Sequence, residues 1–441
     1  MAQVVIFGAG MVARPLVRYL LDQPDTTVVV ATRTVSKAEK MIDGHPQGVA
    51  KTLDVKDMAG VEKEVKAADV VVSLLPYAYH VAVAELCLKH KKQMVTTSYV
   101  SDEMSALDDR AKETGIIILN ECGLDPGIDH MSAMRIIHDV TDRGGKVTSF
   151  RSSTGALPSH EANNNPFGYK FSWSPRGVLL ASRNSAKWLE DSKEVDIPGE
   201  ELFENYYILD VPGTGAFENY PNRNSVPYKE IYGLKDAATV YRGTLRMTGW
   251  CETMRNIVAT GWLQDEPVKG FSGKTFADMT RHLIGAKVGD DIIGATAEFL
   301  GIKPYAAIMK RIEWLGLFSD KALPSDKDNP LDYMNVLTLE KMSMEPGDRD
   351  MVVMHHEFLA EFPGGEKESL TSTLVDYGIP DGDTSVARTV ALPAAIAVKM
   401  ILNGKINLTG VYVPVIPEIY NPILDELEEL GIKFVERKER V

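Results

Sequence analysis

Two glycines and an alanine near the start of the chain have the spacing of a phosphate-binding turn. Gly8, Gly10 and Ala13 stand in the string FGAGMVA, directly after the apolar run VVIF. In such a turn the first glycine permits a tight bend, the second lets the backbone approach a pyrophosphate, and the small third residue allows close helix packing. The helix that follows offers N–H groups to phosphate oxygens. The spacing therefore predicts a dinucleotide site, with the alternative that the turn holds no ligand.

Arg33 follows the next apolar run, VVVAT. An acidic residue at the end of the second strand would accept hydrogen bonds from the ribose 2'-hydroxyl of NAD, whereas an arginine matches the 2'-phosphate of NADP. Thr32, Thr34 and Lys37 would add donors. The alternative is a solvated surface arginine. We favour NADP(H) as the cofactor.

Polar and turn residues also follow other apolar runs. These positions are Asp54, Leu75, the run from Thr97 to Tyr99, and the loop from Glu121 to Asp129. In open α/β sheets the ligand lies beyond the carboxyl ends of the strands. We therefore expect nicotinamide and substrate to meet near the last two of these segments.

A sheet whose strands alternate with helices along the chain would position these residues. The apolar runs predict strands at 4–7, 28–32, 52–55, 69–75, 93–97 and 116–120. Helical patterns occupy 11–21, 57–67, 79–90 and 102–114, and Ser36 with Glu39 has the spacing of a capping box that starts a further helix. Strands that are apolar on both faces and separated by helices are typical of a doubly wound parallel sheet of Rossmann type.

Composition limits the class of protein and its partners. A chain of 441 residues is expected to form two or three domains. Its net charge of -14 argues against nucleic acid or an anionic membrane as a partner. Three cysteines without paired spacing favour a reduced compartment, and the first residues show no secretory pattern, so a cytoplasmic protein is expected. The apolar stretch at 390–402 is interrupted by Pro393 and Lys399, and we expect it to be too short for a membrane span.

The string VYRGTLRMT places two arginines on one side of a predicted strand. A period of two puts Arg242, Thr244 and Arg246 on the same face. Such a face is a poor core and a good anion site, unless it is the solvated face of an edge strand.

Three other polar positions have simpler interpretations. Ser174 and Pro175 have the types of an N-cap and a first helical residue, so Ser174 is a cap or an anion-binding helix start. His355 and His356 are adjacent in a predicted strand, so they point to opposite faces and cannot chelate one metal together; no metal is expected. His130 is interpreted as a helix-packing residue, with a place near the nicotinamide as the alternative.

Several strings resemble one family over nearly the whole chain. The sequence is similar to saccharopine reductase, the glutamate-forming saccharopine dehydrogenase, at TTSYVS, NECGLDPGIDH, NNPFGYKFSWSPRGVLLASRN, YPNRNS and YRGTLR. The resemblance is weakest from 251 to 335. It implies a dinucleotide domain at 1–125, completed by about 385–441, an α/β substrate and dimerisation domain at 126–250 and 336–384, and a small helical insert at 251–335. A homodimer is expected.

The resemblance also implies site residues by motif match. The cofactor would contact Gly8, Ala9, Gly10, Met11, Arg33, Thr34, Asp54, Val55, Leu75, Ser98, Leu124 to Asp129, and Ser174. The substrate would contact Ser98, Tyr99, Asp125, Arg223, Thr244, Leu245 and Arg246. Asp125 and Tyr99 are the candidate acid-base groups, with a bound water as a rival.

The implied activity is reduction by NADPH of the imine formed from glutamate and aminoadipate semialdehyde, giving saccharopine in lysine metabolism. Saccharopine has three carboxylates, which arginine side chains are suited to bind. Two alternatives stay open. A carboxylated-polyamine imine reductase of the carboxynorspermidine dehydrogenase type would favour carboxylates over Arg223 and Arg246. A non-catalytic NADP-sensing protein would need the glycine turn without a polar substrate face.

Overall fold

A computed structural model describes all residues of the chain, 1–441. The chain divides into two compact units. Unit 1 contains Met1–Lys146 and Asp376–Val435, and unit 2 contains Val147–Val375 and Glu436–Val441.

Unit 1 is built on a parallel sheet of seven strands. They are β1 (Ala2–Phe7), β2 (Thr26–Thr32), β3 (Gly48–Thr52), β4 (Val70–Ser73), β5 (Gln93–Thr96), β6 (Ile117–Leu119) and β15 (Gly410–Tyr412). Their order is β15-β6-β5-β4-β1-β2-β3, and every neighbouring pair is parallel. The first six strands thus have the 3-2-1-4-5-6 order of a Rossmann sheet, which confirms the predicted fold class.

The helices of unit 1 cover this sheet. They are α1 (Arg14–Leu21), α2 (Val35–Ile42), α3 (Met58–Ala67), α4 (His80–His90), α5 (Asp102–Ser105), α6 (Asp108–Thr114), α7 (Ile128–Asp142), α15 (Ser385–Leu402) and α16 (Pro417–Glu429). Strand residues such as Val5, Val71 and Ile118 are buried against helix residues such as Val65 and Ala84.

Three local predictions in this unit were wrong. The second helix begins at Val35, so Ser36 lies inside its first turn and cannot cap it; Thr34 holds the N-cap position without a side-chain hydrogen bond. The third strand occupies 48–52 rather than 52–55, because its pairing with β2 ends at Thr32 and Thr52. The helix predicted at 102–114 is two helices, α5 and α6.

Helix α15 contains the apolar stretch at 390–402 and begins before it, at Ser385. It has 18 residues with a mean hydropathy of 1.6, so by length and composition it is apolar enough to cross a membrane. However, 72% of it is buried within the protein, where it packs against α1 and α16. These contacts are those of a core helix.

Unit 2 is built on a mixed sheet of nine strands. They are β7 (Lys146–Pro158), β8 (Ala186–Glu190), β9 (Lys193–Ile197), β10 (Tyr207–Val211), β11 (Gly215–Pro221), β12 (Thr239–Arg246), β13 (Asp350–Glu361), β14 (Lys367–Tyr377) and β16 (Phe434–Arg440). The order is β10-β11-β12-β7-β13-β14-β16, with β8 pairing to β12 and β9 pairing to β8. Strand β12 is therefore an interior strand.

Unit 2 has seven α-helices, and the last five of them follow one another in the chain. They are α8 (Pro175–Ala181), α9 (Tyr228–Ile231), α10 (Trp250–Ala259), α11 (Phe276–Ile284), α12 (Ile292–Phe299), α13 (Ala307–Leu315) and α14 (Pro330–Lys341). No strand interrupts α10 to α14, so the segment 251–335 has helical secondary structure. The compact units differ from the predicted domain boundaries because α7 lies in unit 1 and Glu436–Val441 lies in unit 2. An independent helical domain stays a prediction.

Candidate active site

A cavity of about 320 Å³ lies at the carboxyl ends of β1 to β4 in unit 1. Its lining includes eight of the residues predicted to contact the cofactor, namely Gly8, Ala9, Gly10, Arg33, Thr34, Asp54, Val55 and Leu75. Met11 lies beside the turn and is exposed, without lining the cavity. The carboxyl ends of these strands thus gather the adenosine side of the predicted site, as the sheet topology requires.

The two glycines of the turn are needed for different reasons. Gly8 has a φ of +108°, and a Cβ atom there would lie 2.7 Å from the carbonyl oxygen of Leu74, so the fold itself requires glycine. At Gly10 a Cβ atom would meet nothing within 4 Å, so the fold leaves this side open. An open approach to the backbone at the second glycine fits a pyrophosphate.

Three cations line the same cavity, and none of them forms a salt bridge within the chain. They are Arg33, Lys37 and Lys56, and the acidic residue among them, Asp54, accepts a hydrogen bond from the Lys56 N–H at 3.0 Å. Exposed cations without carboxylate partners, of which Arg33 lies directly after β2, favour a phosphate group over a ribose hydroxyl. These residues fit the 2'-phosphate of NADP.

Lys56 and Tyr79 line the cavity but were missed in the sequence. Lys56 comes four residues after the end of β3 at Thr52, and it follows Asp54 and Val55, which line the same cavity. Tyr79 follows the carboxyl end of β4, a position that could have identified it.

A second polar group lies at the carboxyl ends of β5 and β6. The hydroxyl of Tyr99 donates a hydrogen bond to Oδ1 of Asp125 at 2.9 Å, and both side chains are partly exposed. Ser98 is half-buried, and its N–H donates to the Thr96 hydroxyl at 3.3 Å. The structure therefore joins the two candidate acid-base residues directly.

The loop that carries Asp125 is held by its own backbone and by Asp129. The Gly127 N–H donates to the carboxylate of Asp129 at 2.6 Å, and the Asp129 N–H donates to the carbonyl of Leu124 at 3.1 Å. Leu124 and Asp129 are buried, so their roles here include support of the loop.

Unit 2 contains a buried arginine without a carboxylate partner. Arg246 is 6% exposed, and its guanidinium carbon lies 4.9 Å from the ring centre of Tyr169 and 5.5 Å from that of Trp250. One terminal nitrogen donates to the carbonyl of Leu245 at 2.8 Å, whereas Nε has no hydrogen-bond partner. The Tyr169 hydroxyl and the Trp250 indole N–H are also buried without partners. A buried cation with unused donors around it is suited to a carboxylate ligand.

The neighbouring residues complete this face of β12. Arg242 is buried over the ring of Tyr228, with its guanidinium carbon 4.5 Å from the ring centre. Thr244 is half-buried opposite Tyr220 on β11, and burial raises the pKa of Tyr220 to about 12, so its hydroxyl stays protonated at neutral pH. Because β12 is interior and its arginines are buried, the alternative of a solvated edge strand was wrong.

Two further predicted contacts lie elsewhere in unit 2. Arg223 is exposed just after β11 in a left-handed conformation, with φ of +54°, and its carbonyl accepts from the Lys187 N–H at 2.8 Å. Ser174 caps α8, since its hydroxyl accepts from the Gly177 N–H at 3.2 Å. His355 hydrogen-bonds Thr373 at 2.8 Å, whereas His356 packs against Phe150.

The sheet topology and the glycine turn define a Rossmann-type dinucleotide-binding protein. Residues 4–119 match the family model described as the saccharopine dehydrogenase NADP binding domain, and residues 123–432 match the saccharopine dehydrogenase C-terminal domain. The chain belongs to the saccharopine dehydrogenase family.

Individual relatives agree with this assignment over their full length. The chain is 41% identical to saccharopine dehydrogenase (NADP(+), L-glutamate-forming) of Schizosaccharomyces pombe, covering 99% of both chains. It is 40% identical to the protein of the same name from Saccharomyces cerevisiae, covering 98% of both. The solved structure of apo saccharopine dehydrogenase (L-Glu forming) from Saccharomyces cerevisiae matches with a TM-score of 0.90 and 38% identity, covering 100% of both chains.

Proposed function

We propose that this chain reduces, with NADPH, the imine formed from L-glutamate and 2-aminoadipate 6-semialdehyde, and thereby forms saccharopine in lysine metabolism. The reaction is reversible, so the same protein releases glutamate from saccharopine with NADP. Full-length similarity to glutamate-forming saccharopine dehydrogenases supports this activity.

The observation that carries the proposal is Arg246. A buried guanidinium without a carboxylate partner is costly in the ligand-free protein, and a ligand carboxylate would remove that cost. Saccharopine has three carboxylates, and the exposed Arg223 supplies a second cation for them. A polyamine substrate would instead require carboxylates at these positions.

The nucleotide site has the donors that NADP(H) requires. Gly8 to Gly10 admit the pyrophosphate, while Arg33 with Lys37 and Lys56 holds the 2'-phosphate. When bound, the cofactor supplies or accepts the hydride. The protein's contribution is to bind both reactants, orient them and neutralise their carboxylates, and such positioning accounts for a large part of many enzymatic rates.

Tyr99 and Asp125 are the proposed acid-base pair. Their hydrogen bond at 2.9 Å fixes the hydroxyl and the carboxylate next to each other, so one can orient the substrate amine while the other exchanges a proton with it. A water bound beside them is the rival proton carrier. Ser98, next to Tyr99 in the chain, is proposed to contact both ligands, and Ser174 the cofactor.

The test is a hydride-transfer assay with purified protein. Saccharopine with NADP should produce NADPH absorbance, and glutamate with the semialdehyde should consume it. Carboxynorspermidine serves as the control substrate and should be inactive. NADP binding without turnover of any imine or amine would support the NADP-sensing alternative, and turnover of carboxynorspermidine alone would support the polyamine alternative.

We also propose that the protein is a cytoplasmic homodimer that acts on small molecules, without nucleic acid or membrane partners. Analytical ultracentrifugation tests the homodimer, and cell fractionation tests the cytoplasmic location. A monomer at working concentration would refute the first, and a membrane-bound fraction would refute the second.

A further inference from the structure

Glu121 adopts an unusual backbone conformation in unit 1. It lies after β6 and has a φ of +57°. This left-handed conformation is energetically unfavourable for any residue that has a Cβ atom. Its side chain is also buried, at 5% exposed. A strained backbone and a buried carboxylate at one position indicate that this residue is held there by its contacts.

Those contacts clasp the segment that carries Tyr99. Oε1 of Glu121 accepts from the Val100 N–H at 2.9 Å, and the Glu121 N–H donates to the carbonyl of Ser98 at 3.1 Å. Tyr99 lies between these two anchored residues. The path of its backbone is therefore set on both sides by one glutamate.

The other carboxylate oxygen reaches the helix beyond the Asp125 loop. Nε2 of His130, in the first turn of α7, donates to Oε2 of Glu121 at 2.7 Å, and His130 is fully buried. On its other side, Nδ1 of His130 lies 3.8 Å from Oδ1 of Asp129, the carboxylate that accepts the Gly127 N–H. Asp125 belongs to the loop between Glu121 and His130.

We propose that Glu121 and His130 are positioning residues that set the geometry of the Tyr99–Asp125 pair. Glu121 ties the segment of Tyr99 to the helix start that follows Asp125, with one carboxylate oxygen for each. Neither residue acts on substrate; both act through the hydrogen bond between Tyr99 and Asp125. This inference rests on the proposed function, because it assigns a role within that reaction.

The two contacts make length, rather than charge, the critical property of residue 121. Aspartate keeps the charge but is one methylene shorter, so it cannot reach both Val100 and His130. Glutamine keeps the length: its carbonyl oxygen accepts from the Val100 N–H, and its amide N–H donates to Nε2 of His130 when the imidazole carries its proton on Nδ1, the nitrogen on the side of Asp129. Because a misplacement on the order of 1 Å can cost roughly 10²-fold in rate, Glu121→Asp should lower kcat by about 10- to 100-fold. Glu121→Gln should stay within about threefold of wild type.

The experiment measures kcat, saccharopine KM and NADPH affinity for wild type, Glu121→Asp, Glu121→Gln and His130→Leu. His130→Leu should resemble Glu121→Asp in kcat, and NADPH affinity should change by less than about twofold in all variants. Glu64→Asp is the matched control: Glu64 is also buried, bonds Lys51 at 2.7 Å and lies in α3. Its kcat should equal that of wild type.

A double-mutant cycle with Tyr99→Phe separates positioning from general stability. If Glu121 acts through the Tyr99 hydroxyl, Glu121→Asp should cost less than about threefold in the Tyr99→Phe background. A wild-type kcat in Glu121→Asp, an equal loss in Glu121→Gln, or independent multiplication of the two losses would overturn the proposal. Failure of both Glu121 variants to fold, judged by NADPH binding, would assign Glu121 to stability and overturn it as well. Wild type without activity on saccharopine would instead refute the proposed function.

Discussion

Replacing Arg246 with methionine should lower activity without lowering the stability of the ligand-free protein. The substitution keeps the length of the side chain and removes the buried charge. If Arg246 binds a substrate carboxylate, the substitution should lower kcat/KM but should not lower the free energy of unfolding of the ligand-free protein. If Arg246 is a structural ion, both should suffer together.

The contacts of Arg246 set the magnitude. Burying a guanidinium costs several kcal/mol, which one hydrogen bond to Leu245 and stacking on two rings offset by about 2 to 6 kcal/mol. The net contribution is therefore near zero or unfavourable. Arg246→Met should leave the free energy of unfolding unchanged or raise it by up to about 2 kcal/mol. Loss of a buried carboxylate contact should weaken transition-state binding by about 2 to 5 kcal/mol, which lowers kcat/KM by a factor between about 30 and several thousand.

Urea unfolding of the ligand-free protein and steady-state kinetics with saccharopine make the two measurements. Lys170→Met is the control, because Lys170 is equally buried but pairs with Asp348 at 2.5 Å. Removing one partner of a buried pair should destabilise unit 2 by about 3 to 5 kcal/mol. Both substitutions replace a buried cation with methionine, but only Lys170→Met should lower the free energy of unfolding.

Destabilisation of ligand-free Arg246→Met by as much as the Lys170→Met control would refute this reasoning. A loss of NADPH affinity with unchanged saccharopine KM would also contradict it, since Arg246 would then belong to the cofactor. Arg223→Met should likewise lower kcat/KM for saccharopine, because Arg223 is the second cation proposed to bind its carboxylates.

Four further predictions concern unit 1. Wild type should prefer NADPH over NADH by at least about tenfold in kcat/KM, and Arg33→Ala should remove most of that preference; an unchanged ratio would exclude Arg33 from the phosphate site. Gly10→Ala should fold normally, because its Cβ meets nothing within 4 Å, but should bind NADPH weakly in fluorescence titration; unaltered affinity would contradict the close approach of the pyrophosphate. Asp125→Asn should lower kcat by about 10²-fold and remove one limb of the pH-rate profile if Asp125 transfers the proton, whereas a profile of unchanged shape would assign it to orientation. Burial lowers the pKa of His80 to about 4, so the unfolded chain takes up this proton at a higher pH than the folded protein does. Acidification from about pH 6.5 to 4 should therefore lower the free energy of unfolding by about 2 to 3 kcal/mol, and in His80→Gln this part of the pH dependence should disappear.

Periodic and positional signals in the sequence were sufficient to predict the parallel sheet and several residues of the cavity at the ends of β1 to β4. The strand period of two placed Arg242 and Arg246 on one face without any knowledge of their neighbours. The rule that ligands lie at the carboxyl ends of strands likewise selected the run from Thr97 to Tyr99 and the loop from Glu121 to Asp129. The family resemblance then singled out Tyr99 and Asp125 within them, and the adjacency of β5 and β6 allows their hydrogen bond.

Contacts that depend on tertiary structure could not be predicted in this way. Tyr169 and Trp250, which stack on Arg246, are separated from each other by 81 residues of chain (250 − 169), and no local pattern links them. The spacing of Ser36 and Glu39 suggested a cap, but the helix begins earlier at Val35. The left-handed conformation of Glu121 has no signal in its residue type, since glutamate rarely adopts it.

The chain has an excess of carboxylates, and yet the buried Arg246 is paired with none of them. With 62 acidic and 48 basic residues, carboxylates outnumber cations, and the buried Lys170 has an aspartate at 2.5 Å and a glutamate at 3.7 Å. Arg246 is just as buried and has neither. An exposed cation needs no partner because water solvates it. Burying a cation without a partner lowers the free energy of unfolding. That loss is recovered when a ligand supplies the carboxylate, so binding and stability are coupled at this residue. Saccharopine should therefore stabilise wild type against urea more than it stabilises Arg246→Met, at a concentration that saturates both.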